Sequence, residues 1–569
     1  MIGRLLRTPE RYATAAIVLM TLSPVLLQGL WRPLAAALHV EVPDAIEPLS
    51  LSVAAVVLTL VVVLADGITA RRWLPGAAGV VLCVPAALWV ARGAAAVGTS
   101  LVALLGTTLA ATLLLPFLLR RLPAALDGLA RRRKGVAVVV LALGLAAVVQ
   151  TTRLGAFMGD ATRTELSLVP EVPLLVNHAC LTAYVEGARL AAERVDNLYD
   201  ARHWPDLSAS AASVSAAARY APMNLDAYAY PPPFLLLPRF LLSPLGEFAS
   251  QRALWFTLNA LTIAAGIWSL ARWLGGRAGL GALLLAPLLW CSQPTLVALQ
   301  VGNVHVAVIV AAMLSLVAFE SRRPAIGGAL LAFAVLTKLS PALLVLVLLV
   351  QRRHREVAWT LAFGAGFLLL ALAGFGTPPF LAFVSYELPR LGSGEALAFL
   401  AGPDTVSINL APFGLPFKLA ALGFHPGDEW AIARRINLVY SVALVLLTIV
   451  GARRARAGDG ADPLETAVLW SALLTLGALR SPLAPAYVSF GVLWVMTWRV
   501  GEIRGWPGAL AMVVGWAVVA YTPPMAPSRM AVYTLVQQFV VLGAAAYFVL
   551  RRSPVRRTRP VGSLAASAG

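Results

Sequence analysis

Arg153-Leu154-Gly155-Ala156-Phe157-Met158-Gly159-Asp160 opens, and Tyr228-Ala229-Tyr230-Pro231-Pro232-Pro233-Phe234 closes, a long break in a chain that is otherwise apolar on either side. Within it lie Asp160, Glu165, Glu171, Glu186, Glu193, Asp196, Asp200, Asp206 and Asp226, a third of the chain's 27 acidic residues. An acid-rich stretch between two membrane-grade runs reads as a soluble, partly helical loop on the far side of a bilayer. It is expected to roof and wall a site carried by the surrounding helices.

Composition supports that frame. Of 569 residues, 59% are hydrophobic and 13% charged, and the mean hydropathy is +0.80, beyond the range of water-soluble globular chains. The fold class expected is therefore an all-α, multi-span membrane protein. The net charge of +18 comes from short arginine clusters between apolar runs, without the aromatic interleaving of a nucleic-acid surface. The clusters read as topology signals, and no nucleic acid is expected as a partner. Cys83, Cys180 and Cys291 are far apart in the sequence, so neither a disulfide framework nor a zinc site is implied.

Basic clusters mark the cytoplasmic side. Arg4, Arg7 and Arg11 hold the N-terminus inside, ahead of a retained first span. The link with Glu41, Asp44 and Glu47 is outside, Arg71-Arg72 inside, and the link after Arg92 outside. Continued along the chain, this alternation predicts roughly sixteen crossings and places both termini in the cytoplasm. The expected organisation is N-terminal spans over 1–152, an extracytoplasmic loop over 153–230 and a core with broken helices over 231–373. A second outer loop over 374–435, C-terminal spans over 436–552 and a basic tail over 553–569 complete it. Tyr230 to Pro244 is too short and proline-rich to cross a hydrocarbon core of roughly 30 Å. Leu280 to Trp290 is read as an outward run, and Leu330 to Val350 as two halves broken at Thr337-Lys338-Leu339-Ser340-Pro341. The polar interruptions converge on the outer leaflet. No phosphate-binding glycine loop follows a strand, so nucleotide-driven chemistry inside the cell is not expected.

Lysine occurs only at positions 134, 338 and 418. Lys338, in apolar surroundings beside a helix-breaking proline, reads as a ligand for an anion such as a phosphate-bearing headgroup, with a snorkelling lysine as the bland alternative. Arg480 carries a weaker form of the same argument. For a general base the candidates are Asp160, fixed just beyond a span, then His178 and Glu186, whose eight-residue spacing would place them on about one face of a helix around Tyr184. A lone histidine and cysteine, without paired aspartates, give no reason to expect a metal.

These residues together resemble glycosyltransferase family 87. The matching pieces are Ala183-Tyr184-Val185-Glu186-Gly187-Ala188-Arg189, Asn197-Leu198-Tyr199-Asp200, the Tyr228 to Phe234 segment, Leu254-Trp255 with Leu258-Asn259, Gln300-Val301-Gly302-Asn303, Leu336 to Pro341 before Arg352-Arg353, Ser407-Ile408-Asn409, and Ser481-Pro482 with Tyr487. The resemblance implies a multi-span helical bundle of the GT-C type and a metal-independent, inverting hexosyltransferase of the plasma membrane. The implied donor is a polyprenyl-phosphate sugar, mannosyl in related α-1,2-mannosyltransferases, with a pentosyl unit as the other option. The acceptor is a cell-envelope glycolipid or glycan, and no cofactor is implied. Substrate contacts fall to Tyr184, Tyr230, Asn303, Lys338, Asn409 and Arg480. Where such proteins place an aspartate four residues before the tyrosine, this chain has Cys180. The base is then Asp160, His178 or Glu186, or the chain has changed acceptor or lost transfer. A multi-span transporter or lipid flippase is the competing class, although no internal repeat matches the Lys338 break.

Overall fold

The computed structural model describes residues 9–37, 48–69, 107, 111–121, 133–170, 172–205, 210–396, 402–425, 427–456 and 462–551. The topology signals at Arg71-Arg72 and Arg92, the link at Glu41, Asp44 and Glu47, Cys83, Glu171, Asp206 and the basic tail lie outside these residues. The protein is an all-α multi-span membrane protein. Seven of its helices are long and apolar enough to cross a bilayer, and one bent pair adds an eighth candidate among the described residues.

Three N-terminal helices, α1 (Pro9–Ala37), α2 (Pro48–Thr69) and α3 (Lys134–Gly159), pack on one another, and α1 and α3 pack on α5 (Phe248–Leu274). Polar side chains fasten this junction. Thr257 Oγ1 donates to the Val25 carbonyl at 2.6 Å and Trp290 Nε1 to Thr151 Oγ1 at 2.8 Å. The Arg252 guanidinium donates to the Phe157 carbonyl at 2.6 Å, closing the C-terminal end of α3, whose last carbonyls have no partner within the helix.

Helix environment follows from the amount of apolar surface each helix offers. α12 (Pro463–Leu479) starts at Asp462, whose carboxylate accepts from Leu464 N, with Pro463 in the first turn. From Thr466 to Leu479 every residue is buried, so this helix is the axis of the core. By contrast α10 (His354–Phe375) and α11 (Glu429–Arg456) leave Leu361, Leu369, Leu370, Leu438, Val439 and Leu446 exposed. Such a face is stable against hydrocarbon and not against water.

Two helix breaks position the polar residues. Between α6 (Gln293–Gln300) and α7 (His305–Glu320) the chain turns through 113°, with Gly302 at φ +67° supplying a left-handed conformation that a side chain disfavours. Between α8 (Pro324–Thr337) and α9 (Ala342–Val350), Lys338 is extended at φ −140°, ψ 132°, ahead of Pro341. Pro341 lacks the N–H that a continuous helix would use. The break expected at Lys338 is thus present. The outward run expected over Leu280 to Trp290 is itself interrupted at Leu285, giving Gly276–Leu284 and Ala286–Trp290, because Pro287 cannot donate into the first helix. The Tyr230 to Pro244 segment forms short turns at Pro232–Leu235, Pro238–Leu242 and Ser243–Leu245.

The acid-rich loop is folded. Tyr184, Tyr199, Trp204 and Tyr228 are fully buried in it. Helix α4 (Cys180–Ala192) carries Tyr184 and Glu186 near its middle, but His178 does not share its face. The helix begins at Cys180, and His178 belongs to a short strand, β1 (His178–Ala179), which pairs in parallel with β2 (Asn224–Leu225). Extended backbone alternates side chains where a helix would repeat them at seven or eight, which is why the spacing argument failed.

Candidate active site

Asn303, set by the Gly302 turn, is the centre of the polar network. Its Oδ1 accepts from His305 N at 2.9 Å, which fixes the amide orientation. Its Nδ2 then faces the Tyr487 hydroxyl at 3.0 Å, the Tyr230 hydroxyl at 3.3 Å and Cys180 Sγ at 3.2 Å. Tyr184, packed edge-on against Tyr230, Phe234 and Trp255, donates to the Tyr230 hydroxyl at 3.0 Å. Tyr199 donates to the Tyr230 carbonyl at 2.8 Å, so the residue ahead of the proline run is held at both backbone and side chain.

Lys338 enters this network from the second break. Its Nζ lies 5.2 Å from the Tyr230 ring centre and 5.8 Å from that of Tyr487. Among the described residues no carboxylate pairs with it. A cation between two aromatic faces, rimmed by neutral hydroxyl and amide groups, suits an anionic ligand. His305, with Nε2 buried and without a hydrogen-bond partner, lies 5.4 Å from the Tyr487 ring.

The third side of the space is the β1–β2 bridge. His178 Nε2 is 3.3 Å from Cys180 Sγ and 3.6 Å from Asp226 Oδ2. The donor atoms of these three residues lie within 4.8 Å of one another, close enough to share a proton or to hold a metal ion. Their distance in sequence hid this: pairing of His178–Ala179 with Asn224–Leu225 brings the residue that follows each strand, Cys180 and Asp226, together beside His178. Asp226 is the member of this cluster that sequence reasoning did not single out among the nine acids. Its position two residues before the Tyr228 to Phe234 segment was the available signal.

The other candidates lie elsewhere. Glu186 is buried, with Oε1 accepting from Arg189 at 2.6 Å and Arg219 at 2.8 Å, and Oε2 from Tyr220 at 2.8 Å and Arg189 at 3.1 Å. Burial pushes its carboxyl up, but the hydrogen bonds from Arg189 and Tyr220 outweigh this and hold it below the ordinary glutamate value. It is a structural hub. Asp160 accepts from Thr162 N and Oγ1 at 3.0 and 2.6 Å and lines a different cavity, about 320 Å³, with Gln28, Tyr220 and Arg252. Asn409 is saturated by backbone: its Nδ2 donates to the Pro482 carbonyl at 2.8 Å and its Oδ1 accepts from Ala411 N and Ala484 N at 2.9 and 3.0 Å. It clamps the end of the Pro403–Ile408 helix to the turn that precedes Tyr487. Arg480 is exposed and donates to Ser441 Oγ at 3.2 Å.

Fold and site together define an integral-membrane protein in which a lysine lies between two tyrosine rings beside a folded polar loop. Residues 228–482 match the model of glycosyltransferase family 87. The match covers a little under half of the chain, and the activity class that family implies is glycosyl transfer at a membrane. No match is found among curated proteins or among solved structures.

Proposed function

We propose that the protein transfers a hexosyl (mannosyl-like) or pentosyl unit from a polyprenyl-phosphate donor to a cell-envelope lipid or glycan. Transfer takes place on the extracytoplasmic side of the plasma membrane, and both chain termini are cytoplasmic. The observation that carries this reading is the Lys338 ammonium, held over Tyr230 and Tyr487 at the mouth of a helix break without an acidic partner among the described residues. A lipid-linked sugar phosphate supplies the missing anion and reaches the cleft from within the bilayer, where a nucleotide sugar does not partition. Lys338 binds the phosphate and stabilises it as a leaving group. Asn303, Tyr230 and Tyr487 offer donors and acceptors to the sugar. The acceptor hydroxyl approaches along the wall formed by His178, Cys180 and Asp226, opposite the phosphate, and displaces it with inversion at the anomeric carbon. The step proposed uses side chains alone, with neither nucleotide nor metal.

The test is transfer by the purified, lipid-reconstituted protein from polyprenyl-phosphate-mannose, -glucose or -arabinose to an extracted envelope-lipid pool, followed by mass spectrometry. Transfer from a nucleotide sugar instead, or movement of intact donor across the bilayer without transfer, would sink the reading.

A further inference from the structure

We infer that Asp226 is the group that takes the proton from the acceptor hydroxyl, with His178 as its positioning partner. The inference rests on the proposed transfer reaction and adds the residue that the reaction needs.

The placement starts from backbone register. His178 pairs with Asn224 and Ala179 with Leu225 in a parallel bridge, and Cys180, the first residue of α4, and Asp226 are the residues that immediately follow the two strands. The bridge so brings the donor atoms of His178, Cys180 and Asp226 within 4.8 Å of one another. Asn303 touches this cluster through Cys180 Sγ. The Asp226 backbone is pinned: its N–H donates to Thr182 Oγ1 at 3.0 Å, and that hydroxyl is in contact with the Ala179 and Asn224 carbonyls at 2.8 and 3.0 Å. Oδ1 accepts from Ala227 N at 3.1 Å, which orients the carboxylate and leaves Oδ2 toward His178 and the open space.

Elimination among the neighbours points the same way. Cys180 Sγ is buried and already engaged by Asn303 and His178. Both Glu186 oxygens are taken by Arg189, Arg219 and Tyr220, and Asp160 faces the other cavity. The Asp226 side chain keeps about a quarter of its surface open (26%), which an approaching hydroxyl requires. The groups facing it are His178, Cys180, Tyr230 and Tyr487, none of them a fixed cation that would neutralise the carboxylate by direct pairing. A divalent ion at the same three donor atoms would share this cleft with the Lys338 ammonium, and that repulsion favours the metal-free arrangement. In the step assigned, the acceptor O–H proton passes to Asp226 Oδ2 and the oxygen lone pair forms the bond to the anomeric carbon. The bond from that carbon to the phosphate oxygen breaks, and its electron pair leaves on the lipid phosphate beside Lys338.

The experiment compares wild type with Asp226→Asn and Asp226→Ala in the full-length, lipid-reconstituted protein. Asp226→Asn keeps the shape and is expected to lower kcat by about 10²-fold, with polyprenyl-phosphate binding unchanged. Asp226→Ala is expected to recover part of its rate in high formate, which a loss of structure would not. Full activity of Asp226→Asn, with loss of activity in His178→Gln or Asp160→Asn, overturns the assignment. So does one equivalent of bound metal in the purified protein whose chelation abolishes transfer, because Asp226 would then be a ligand. If wild type itself transfers nothing from any polyprenyl-phosphate sugar, the underlying reaction fails and not the choice of residue.

Discussion

Lys338→Met removes a charge while keeping a flexible, apolar stem, and it isolates the central electrostatic claim. The ammonium has two aromatic faces for neighbours and no carboxylate among the described residues, so the protein itself does not satisfy it. A phosphate oxygen accepting from it forms a charge-assisted hydrogen bond, for which removal costs about 1.5–3 kcal/mol. At about 1.4 kcal/mol per decade, the dissociation constant for polyprenyl phosphate should rise about 10- to 150-fold. Lys338→Arg should recover only part of this, since a planar guanidinium does not fit the same point between the rings. The assay is displacement of a fluorescent polyprenyl phosphate from reconstituted protein, with expression and melting temperature measured in parallel. Because no acidic partner is stranded, the variant should be as stable as wild type or more so. Unchanged affinity in a well-folded Lys338→Met protein would refute the phosphate assignment.

Glu186→Gln removes the charge and turns one of the two oxygens shared by Arg189, Arg219 and Tyr220 into an NH2 donor. Both arginines are more than a third exposed, so the cost is discounted to about 1–2 kcal/mol, seen as faster amide exchange over residues 180–192 and 211–225 with lipid-phosphate affinity retained. Glu387, at the end of the Phe383–Glu387 turn, is raised to about 7 by burial, Arg390 at 3.6 Å offsetting only part of it. A raised folded value means that the stability is present below the unfolded value of 4.5 and is lost as pH rises through about 7. Glu387→Gln should therefore match wild type at pH 4 and exceed it at pH 8 by up to on the order of 3 kcal/mol, read as a pH-dependent gap in melting temperature. Gly302→Ala adds a Cβ at φ +67°, 3.2 Å from the Trp255 ring and 3.3 Å from Leu181 Cβ. It should cost about 1–2 kcal/mol and, by moving Asn303, weaken lipid-phosphate binding in the same displacement assay.

Local chemistry was legible where one segment determines it. Apolar runs gave the helices, Pro341 gave the break at Lys338, and the Gly302-Asn303 pair gave a turn with a polar tip. Tyr230 was readable as a candidate from its place ahead of the proline run, but its partners Tyr184 and Asn303 come from distant segments. What stayed hidden depends on pairing between distant segments. His178 was expected on the helix of Glu186 because nothing local announces a two-residue strand, and the partner of that strand lies 46 positions away. Asp226 was passed over for the same reason. Glu186 looked available because arginines three and thirty-three residues further on give no hint that they close on one carboxylate. Asn409 was read as a substrate contact because an amide beside apolar residues does not reveal whether backbone or ligand will satisfy it.

The bridge between β1 and β2 also bears on how the protein can change. Because the chain is stapled at residues 178–179 and 224–225, where Glu186 meets Arg219 and Tyr220, where Tyr199 donates to the Tyr230 carbonyl, and where Ser210 Oγ donates to the Arg202 carbonyl, the stretch between Trp204 and Ser210 runs between ends that are already held. Closing such a stretch costs little more when it is long than when it is short. Insertions, deletions or grafted sequence there would alter the surface met by the acceptor while the wall carrying Asp226 and the cleft carrying Lys338 keep their spacing. On the proposed reaction, acceptor choice and bond-making chemistry would in this way be mechanically uncoupled, and the protein could diversify in one without retuning the other.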